Sequence, residues 1–349
     1  MVVGIAILGA GIFATEEHLP AIRSVPALSL KAIYSRSQKS AETLAKTAGP
    51  GVEAYYEIPA TSDRTLDALL KRPDVEAISV AVPISKSPDL IRRAFEAGKS
   101  VLSEKPIAPT VAQAQDLMKL YQKQCQSKQI VWAVGENFRF WNSVNRAAGI
   151  IRQLDAKILT FRCEIYHFIG VEDKYFHSDW RQTASHPAGF VLDACIHFVA
   201  ILRFLLAAGG HTLATAAASA KLLDPALPPV DTVFALLETD KAVTGTFRFS
   251  VGIPFLDGID YDIVTDKGVV HVQGPTVVTT RLRNAAGIIV ESKFEDEMTF
   301  GVLDEFASFG AALNGSEMDT RISFQEALLD LQLLEAMLKS NGESVSIAC

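Results

Sequence analysis

Three side chains suited to acid–base chemistry stand where the folded chain could bring them together. Lys105 lies in Ser103-Glu104-Lys105-Pro106, directly after a short apolar run that is typical of a strand. Asp193 and His197 are four residues apart in an apolar stretch that predicts a helix, so they share one face of that helix. A histidine beside a carboxylate and a lysine can move the proton that accompanies hydride transfer. These three residues are therefore candidates for acid–base chemistry.

Other interpretations of the same residues stay open at this point. The tetrapeptide around Lys105 is also compatible with a surface loop, and an isolated histidine on an apolar helix is often a buried core residue. A metal site would have to recruit His177 or His186. The usual ligand spacing of zinc sites does not occur in the chain, so we expect no metal.

A glycine-rich segment near the start of the chain has the spacing of a dinucleotide-binding turn. Gly9-Ala10-Gly11-Ile12-Phe13-Ala14 matches GxGxxA and stands between a predicted strand and a predicted helix, which favours this interpretation over a simple glycine turn. Gly9 permits the tight turn, and Gly11 lets backbone amides approach a pyrophosphate at the helix N-terminus. Ala14 allows the helix to pack closely on the strand.

The end of the second predicted strand indicates which dinucleotide is bound. Sites for NAD usually have an acidic residue there that binds the ribose hydroxyls. This chain has Tyr34-Ser35-Arg36-Ser37 instead, and no carboxylate between Lys31 and Lys39. Arg36 can pair with a 2′-phosphate and stack on adenine, while Ser35 can donate a hydrogen bond. We predict NADP(H); the alternative is that Arg36 is a solvated cation and both cofactors are accepted.

The elements that would position these residues follow a β-α order through the first 135 residues. Apolar runs alternate with amphipathic stretches, beginning with a strand over 3–8, a helix over 15–25 and a strand over 28–34. Continuous apolar strands that alternate with helices predict a parallel sheet covered on both faces. We predict a Rossmann domain over residues 1–135, with Lys105 at the carboxyl edge of its sheet, where open α/β sheets bind ligands.

The pattern changes in residues 136–349, which we predict to form a second α/β domain for substrate binding and oligomerisation. Helices are predicted over 142–154, 191–206, 300–313 and 324–339, and a long strand over 157–166. From residue 213 to about 291, most segments are typical of strands joined by short turns, which favours an antiparallel sheet. The predicted fold class is therefore α/β plus α+β.

Composition argues against several classes of partner. The 349 residues carry a net charge of −7 without a basic cluster, which disfavours nucleic acid and anionic membrane surfaces. We expect that no apolar run reaches the length needed to span a bilayer, and the apolar N-terminal stretch lacks the basic residues of a signal peptide. The four cysteines show no CxxC spacing, which is typical of free thiols in a reducing compartment. We expect a soluble, cytoplasmic protein.

Together these motifs resemble the Gfo/Idh/MocA family of oxidoreductases, which includes glucose–fructose oxidoreductase and inositol dehydrogenase, over essentially the whole chain. The glycine segment stands where the family has its first glycine loop, and Glu104-Lys105-Pro106 is similar to its EKP signature. Gly189, Asp193 and His197 match its G-x3-D-x3-H helix. Ala194-Cys195 stands where many members have glycine, a departure that bears on the substrate more than on the chemistry.

Two further segments resemble parts of this family that lie near the cofactor. Asp179-Trp180-Arg181-Gln182 is similar to the Trp-Arg segment of NADP-dependent members. Overall, the chain most resembles cytosolic, NADP-dependent fungal members of the family. Glu136-Asn137-Phe138-Arg139-Phe140 resembles the loop that joins the two domains near the nicotinamide. The cofactor-binding residues that we expect are Gly9, Gly11, Ile12, Phe13, Ser35, Arg36, Pro83, Glu104, Lys105, Asn137, Trp180 and Arg181.

The resemblance also implies roles and an assembly. It implies an open, mostly antiparallel second sheet, with His197 as proton donor or acceptor and with Asp193 and Lys105 positioning the substrate. It implies a homo-oligomer, a dimer or tetramer, formed through that sheet. The apolar alternation in Thr244-Gly245-Thr246-Phe247-Arg248-Phe249 predicts that the exposed sheet face self-associates.

The function that follows is reversible hydride transfer between NADP(H) and a carbonyl or alcohol carbon of a small molecule, such as a sugar, a polyol or a related carbonyl compound. Two alternatives remain open on the sequence. One is reduction of an imine or a secondary metabolite, and the other is a non-catalytic, NADP-sensing regulatory protein on the same fold. The presence of Lys105, Asp193 and His197 argues against the second.

Overall fold

The computed structural model describes residues 1–58, 63–170, 172–174, 176 and 188–347. They form two compact units. The first contains Met1–Asn137 and Gly301–Leu328, and the second contains Phe138–Phe300 and the residues from Leu329 onward. The division expected from the sequence, between 135 and 136, does not include the return of 301–328 to the first unit.

The first unit is built on a six-stranded, all-parallel sheet, as predicted. Its strand order is β3-β2-β1-β4-β5-β6, so the order reverses between β1 and β4. All six residues of β1 are buried, which is the burial expected of a central strand with helices on both faces. The strands are β1 Val3–Leu8, β2 Leu28–Ser37, β3 Glu53–Ile58, β4 Ala77–Val80, β5 Ser100–Ser103 and β6 Trp132–Val134.

Side-chain caps begin several of the helices in this unit. The Ser37, Thr65 and Thr110 hydroxyls each accept a hydrogen bond from a backbone N–H three residues on. The α-helices are α1 Leu19–Ser24, α2 Gln38–Ala48, α3 Leu66–Leu70, α4 Ser87–Glu96, α5 Val111–Gln124 and, after the second unit, α8 Val302–Leu313.

Two details of this unit differ from the sequence-based expectation. The first helix, predicted over 15–25, begins as a π-helical segment, Ala14–His18, before α1. Such segments are frequent near functional sites. Strand β3 and helix α3 were not predicted, because β3 obtains its backbone partners from β2, whose residues lie about twenty positions earlier. Short strands of this kind depend on pairing more than on local propensity.

The second unit is built on a nine-stranded sheet in the order β14-β13-β12-β11-β7-β10-β9-β8-β15. All its strand pairs are antiparallel except β7 with β10, so the predicted open, mostly antiparallel sheet is confirmed. The strands are β7 Ile158–Tyr166, β8 Leu213–Lys221, β9 Thr232–Thr239, β10 Thr244–Ser250, β11 Gly258–Thr265, β12 Gly268–Gln273, β13 Val277–Arg283, β14 Ile289–Glu295 and β15 Val345–Ser346.

Strand β10 presents the opposite face to the one expected for self-association. Phe247 and Phe249 are fully buried, while Thr244 and Arg248 are exposed. The expectation that the apolar alternation of this strand lies on the exposed face is therefore wrong. The phenylalanines lie in the core of the unit, since the side-chain period of two lets a strand bury either alternate set.

Helix α7 lies in the core of the second unit. The helices here are α6 Asn142–Leu154, α7 Gly189–Ala208 and the part of α9, Phe324–Lys339, that follows Leu328. Among the described residues, α7 is long and apolar enough to cross a membrane by length and composition, so the expectation that no run reaches that length is wrong. Two thirds of that stretch is buried inside the structure.

Candidate functional site

The carboxyl edge of the parallel sheet brings together most of the residues expected at the cofactor. All six strands run in one direction, so the segments that follow them meet at one edge, and the reversal of order beside β1 leaves a crevice there. The expected residues that follow these strands are Gly9 to Phe13 after β1, Ser35 and Arg36 at the end of β2, Pro83 after β4, Glu104 and Lys105 after β5, and Asn137 after β6.

The two glycines of the first turn have different structural requirements. Gly9 has a φ of 121°, and a Cβ atom there would lie 2.0 Å from the carbonyl oxygen of Ala81. A side chain at this position is therefore excluded by the backbone that directly follows the neighbouring strand β4. A Cβ atom at Gly11 would meet nothing within 4 Å. The space beside Gly11 is open, as a backbone that approaches a pyrophosphate requires.

The end of β2 combines a cation with a carboxylate that the local sequence did not reveal. Arg36 is exposed and Ser35 is half-buried. Glu57, from β3, accepts hydrogen bonds from the Tyr34 hydroxyl at 3.3 Å and from the Leu66 N–H at 3.2 Å. Burial and the neighbouring Glu57 raise the pKa of Tyr34 to about 12, and the Arg36 charge opposes this. The carboxylate is thus held by two donors of its own unit.

The segment after β5 carries Lys105 and, directly before it, Glu104, which His18 holds in place. Lys105 is half-buried. Glu104 Oε1 lies 2.8 Å from His18 Nε2, and His18 Nδ1 lies 2.7 Å from the Ser79 hydroxyl. His18 is 1% exposed, so the ring bridges two sheet-edge segments from within the unit. His18 and Ser79 were not identified from the sequence. The only sequence signal for His18 is its position four residues after Ala14, and Ser79 has none.

A second carboxyl lies behind this segment. Glu305, from α8, is 1% exposed, and its Oε1 has no hydrogen-bond partner among the described residues. A Cβ atom at Gly135 would lie 3.2 Å from Glu305 Oε1 and 3.4 Å from Glu104 Oε1, so the missing side chain makes room for both carboxyls. Burial, and then the charges of Glu104 and Glu136, raise the pKa of Glu305 well above its ordinary range. Burial therefore favours the neutral acid form of Glu305.

The second unit carries the other two candidate catalytic residues on the first turns of α7. Gly189 begins the helix with a φ of 47°, and a Cβ atom there would lie 2.8 Å from the Pro228 carbonyl oxygen. Asp193 and His197 follow at four-residue intervals and are both half-buried on a helix whose other residues are mostly buried. The imidazole of His197 stacks on Phe138, with ring centroids 4.1 Å apart.

The remaining expected residues cannot be placed. Trp180 and Arg181, expected at the cofactor, and His177 and His186, considered as metal ligands, lie outside the described residues. Across the part of the chain that the structure describes, no group of three or more His, Cys, Asp or Glu side chains is placed to hold a metal ion. The assignments of Lys105, Asp193, His197 and of the cofactor-binding residues to their roles stay predictions.

The geometry of the sheet edge fits a dinucleotide. The open space at Gly11, the tight turn at Gly9 and the exposed Arg36 are the features that a pyrophosphate and an adenosine ribose require. A nicotinamide cofactor could be held by the segments after β1, β2, β4 and β5.

Models of known protein families match both units. A model described as an oxidoreductase family with an NAD-binding Rossmann fold matches residues 3–131, and one described as the GFO/IDH/MocA C-terminal domain matches residues 156–271. The chain is also 43% identical over 338 residues to Dehydrogenase FPY6 of Fusarium mangiferae, covering 97% of this chain and 96% of that protein.

Solved structures share the fold at lower sequence identity. Levoglucosan dehydrogenase in complex with NADH aligns with a TM-score of 0.85 at 17% identity and covers 100% of both chains. KijD10, a 3-ketoreductase from Actinomadura kijaniata in complex with TDP-benzene and NADP, aligns with a TM-score of 0.78 at 20% identity, covering 97% of this chain and 98% of that one. At these identities the likeness concerns the fold alone.

Proposed function

This chain belongs to the Gfo/Idh/MocA family of oxidoreductases, and from that premise we propose that it transfers hydride reversibly between NADP(H) and a carbonyl or alcohol carbon of a small molecule. The observation that carries the proposal is the sheet edge of the first unit. There the open turn at Gly11 and the half-buried Lys105 follow strands of the same parallel sheet. A dinucleotide crevice with an adjacent ammonium group suits chemistry on an oxygen-bearing carbon.

A sugar, a polyol or a related carbonyl compound is the proposed substrate class. The names of structurally similar proteins support it, since one acts on levoglucosan and another is a 3-ketoreductase crystallised with a TDP compound. The half-buried Asp193 and His197 also support a hydroxyl-rich substrate, because a carboxylate and an imidazole both form hydrogen bonds with hydroxyl groups.

NADP(H) is the proposed cofactor in preference to NAD(H). Arg36 is exposed at the end of β2 and can pair with a 2′-phosphate. Glu57, the carboxylate beside that strand end, is hydrogen-bonded to Tyr34 and to the Leu66 N–H. A carboxylate engaged in this way competes less for ribose hydroxyls than an acidic residue at position 36 would. Structural relatives bind NADH or NADP, so Arg36 carries this part of the proposal.

Three residues of this chain have proposed chemical roles. When bound, the cofactor supplies or accepts the hydride. The His197 imidazole donates a proton to the substrate oxygen during reduction and accepts it during oxidation. The Lys105 ammonium donates a hydrogen bond to that oxygen and stabilises its negative charge, and the Asp193 carboxylate orients the substrate by accepting hydrogen bonds from its hydroxyl groups.

A cytoplasmic homo-oligomer, a dimer or a tetramer, is proposed as the working form. Cys125, Cys163 and Cys195 are buried free thiols, which suits a reducing compartment. The net charge of −7 gives no reason to propose a nucleic acid or a membrane as a partner.

Turnover with a panel of sugars, polyols and keto acids tests the proposed function. The absorbance of reduced nicotinamide would be followed with NADP(H) and NAD(H) in both directions. We expect turnover of at least one compound, faster with the phosphorylated cofactor, and its loss in Lys105→Ala. Tight cofactor binding without turnover of any compound would favour the regulatory alternative. Equal rates with both cofactors would contradict the proposed preference.

A further inference from the structure

Phe138, to which the proposed function assigns no role, lies in an aromatic stack of the second unit. Phe138 stacks on the His197 imidazole, with ring centroids 4.1 Å apart and an angle of 17° between the planes. It also stacks on Trp141, with centroids 3.9 Å apart and an angle of 29°. Two rings at these distances cannot share one face of a phenyl group. Phe138 therefore lies between His197 and Trp141.

The backbone that carries Phe138 is held on both sides. Trp141 N–H donates to the Phe138 carbonyl oxygen at 3.2 Å. The Asn145 side-chain amide donates to the carbonyl oxygens of Arg139 and Trp141, at 2.9 Å in both cases. These bonds close the short 3-10 turn, Asn137–Phe140, against the start of α6. The Phe138 side chain is therefore attached to a main chain that hydrogen bonds hold in place.

A buried ion pair anchors the same turn to α9. Arg139 is 1% exposed, and its Nη2 donates to both carboxylate oxygens of Asp330, at 2.7 and 2.6 Å. Arg203, from α7, also donates to Asp330. Charge-assisted bonds of this kind are short and directional, and breaking a buried pair leaves an uncompensated charge. Because Arg203 lies on the helix that carries His197, the pair ties the Phe138 turn to α7.

We propose that Phe138 is a positioning residue that fixes the plane of the His197 imidazole, an inference that rests on the proposed proton-transfer role of His197. The stack covers one face of the His197 imidazole, and His197 as a whole is half-buried. The nitrogen atoms that exchange protons lie in the plane of that ring. An aromatic ring held against the face thus limits the tilt of the plane and with it the direction of both nitrogens.

Substitutions at Phe138 separate this role from simple packing. Phe138→Leu removes the flat surface with little change in volume, and Phe138→Tyr retains it. We expect Phe138→Leu to lower kcat about tenfold with less than a twofold change in the KM for the cofactor, because misplacing a proton-transfer group acts on the chemical step. Phe138→Tyr should restore kcat. The matched control is Phe204→Leu, a half-buried phenylalanine two turns further along α7.

A double variant makes the test specific for His197. If Phe138 acts through the imidazole, adding Phe138→Leu to His197→Ala should lower kcat no further, whereas a packing effect would add to it. The histidine side-chain proton resonances give a readout without catalysis. The ring current of Phe138 should shift those of His197, and Phe138→Leu should remove that shift.

The outcomes distinguish this inference from the proposed function. A normal kcat in Phe138→Leu, with His197→Ala inactive, overturns the positioning role alone. Additive losses in the double variant, or unshifted His197 resonances in the unmodified protein, overturn it as well. A normal kcat in His197→Ala overturns the proton-transfer role of His197 and the positioning role together.

Discussion

Arg36 is the residue on which cofactor choice depends. Its side chain is exposed at the end of β2, and the sequence has no acidic residue between Lys31 and Lys39. We expect Arg36→Ala to weaken NADPH binding by roughly 1–3 kcal/mol, the scale of a hydrogen bond to a charged group, and to leave NADH binding nearly unchanged. Fluorescence titration of both cofactors measures this.

Lys39→Ala is the matched control for Arg36, since it removes an exposed cation one turn away at the start of α2. It should change neither affinity by more than about 0.5 kcal/mol. Equal affinity of the unmodified protein for both cofactors would show that Arg36 is a solvated surface cation.

His197 is the residue on which proton transfer depends in the proposed function. We expect His197→Ala to lower turnover by about a hundred- to ten-thousand-fold, the usual contribution of a general acid–base group, and to leave NADPH affinity nearly unchanged. Lys105→Ala should lower turnover similarly, with some loss of cofactor affinity. Steady-state kinetics and cofactor titration measure the two effects separately.

His167→Ala, an exposed histidine of the same unit, is the control for His197→Ala and should keep full turnover. If His197 were a core residue without a chemical role, its replacement would lower the melting temperature and turnover together. A fully active His197→Ala protein would exclude the proposed role.

In the turn after β1, we expect Gly9 to matter for folding and Gly11 for cofactor binding. Gly9→Ala should destabilise the protein by roughly 1–3 kcal/mol or more, because φ is 121° and the new Cβ would lie 2.0 Å from the Ala81 carbonyl oxygen. Gly11→Ala should keep its stability, since its Cβ would meet no protein atom within 4 Å, and should weaken cofactor binding. Urea unfolding and cofactor titration of both variants distinguish these effects, and a stable Gly9→Ala would contradict the close approach.

Helix α8 contributes a pH dependence through Glu305. Its pKa is raised by burial, so the folded protein retains a proton that the unfolded chain loses near pH 4.5. The contribution to stability is fully present below that pH and is lost as pH rises toward and through the folded-state value. We expect the free energy of unfolding to fall relative to that of Glu305→Gln, by at most about 1.4 kcal/mol per pH unit, from about pH 5 upward.

Urea unfolding at several pH values measures the Glu305 effect. Glu317→Gln replaces an exposed glutamate of the same unit and should show the pH profile of the unmodified protein. If Glu305→Gln also keeps that profile, the carboxyl is not the source of the pH dependence.

At the scale of the whole molecule, the exposed face of the second sheet is the proposed self-association surface. Phe234 and Leu236 on β9 are 39% and 52% exposed. On the same face, Arg162 of β7 forms ion pairs with Asp262 and Glu164. A face with apolar side chains beside charges of both signs can bind a second copy of itself across a two-fold axis.

We expect Leu236→Glu to weaken self-association by about 1–2 kcal/mol, because a buried apolar anchor becomes a desolvated charge. Light scattering over micromolar concentrations measures the mass. Phe255→Glu, at a loop residue that is 92% exposed, is the control and should leave the mass unchanged. Particles of only 37.8 kDa in the unmodified protein would refute self-association.

The class of fold and much of the first unit are predictable from the amino-acid sequence. Local patterns carry this information: continuous apolar strands between amphipathic helices predict a covered parallel sheet, and a glycine pair after the first strand predicts its turn. Helix α6 is predicted at its observed bounds, Asn142–Leu154, because its apolar period of about 3.6 residues is uninterrupted. The candidate group Lys105, Asp193 and His197 is also recognisable in the sequence, since residue type and spacing are local properties.

The contacts of those residues, in contrast, depend on tertiary packing. Glu104 meets His18 and lies near Glu305 through contacts between residues 86 and about 200 positions apart, and no local pattern records them. Phe247 faces the core because pairing of β10 with β7 and β9 decides which alternate set is buried. Phe138 stacks on His197, 59 positions later, and the neighbouring Arg139 pairs with the buried Asp330, 191 residues away. Such contacts form only when distant segments pack together in the folded chain. Their contribution to stability therefore cannot be assigned to any single stretch of the sequence.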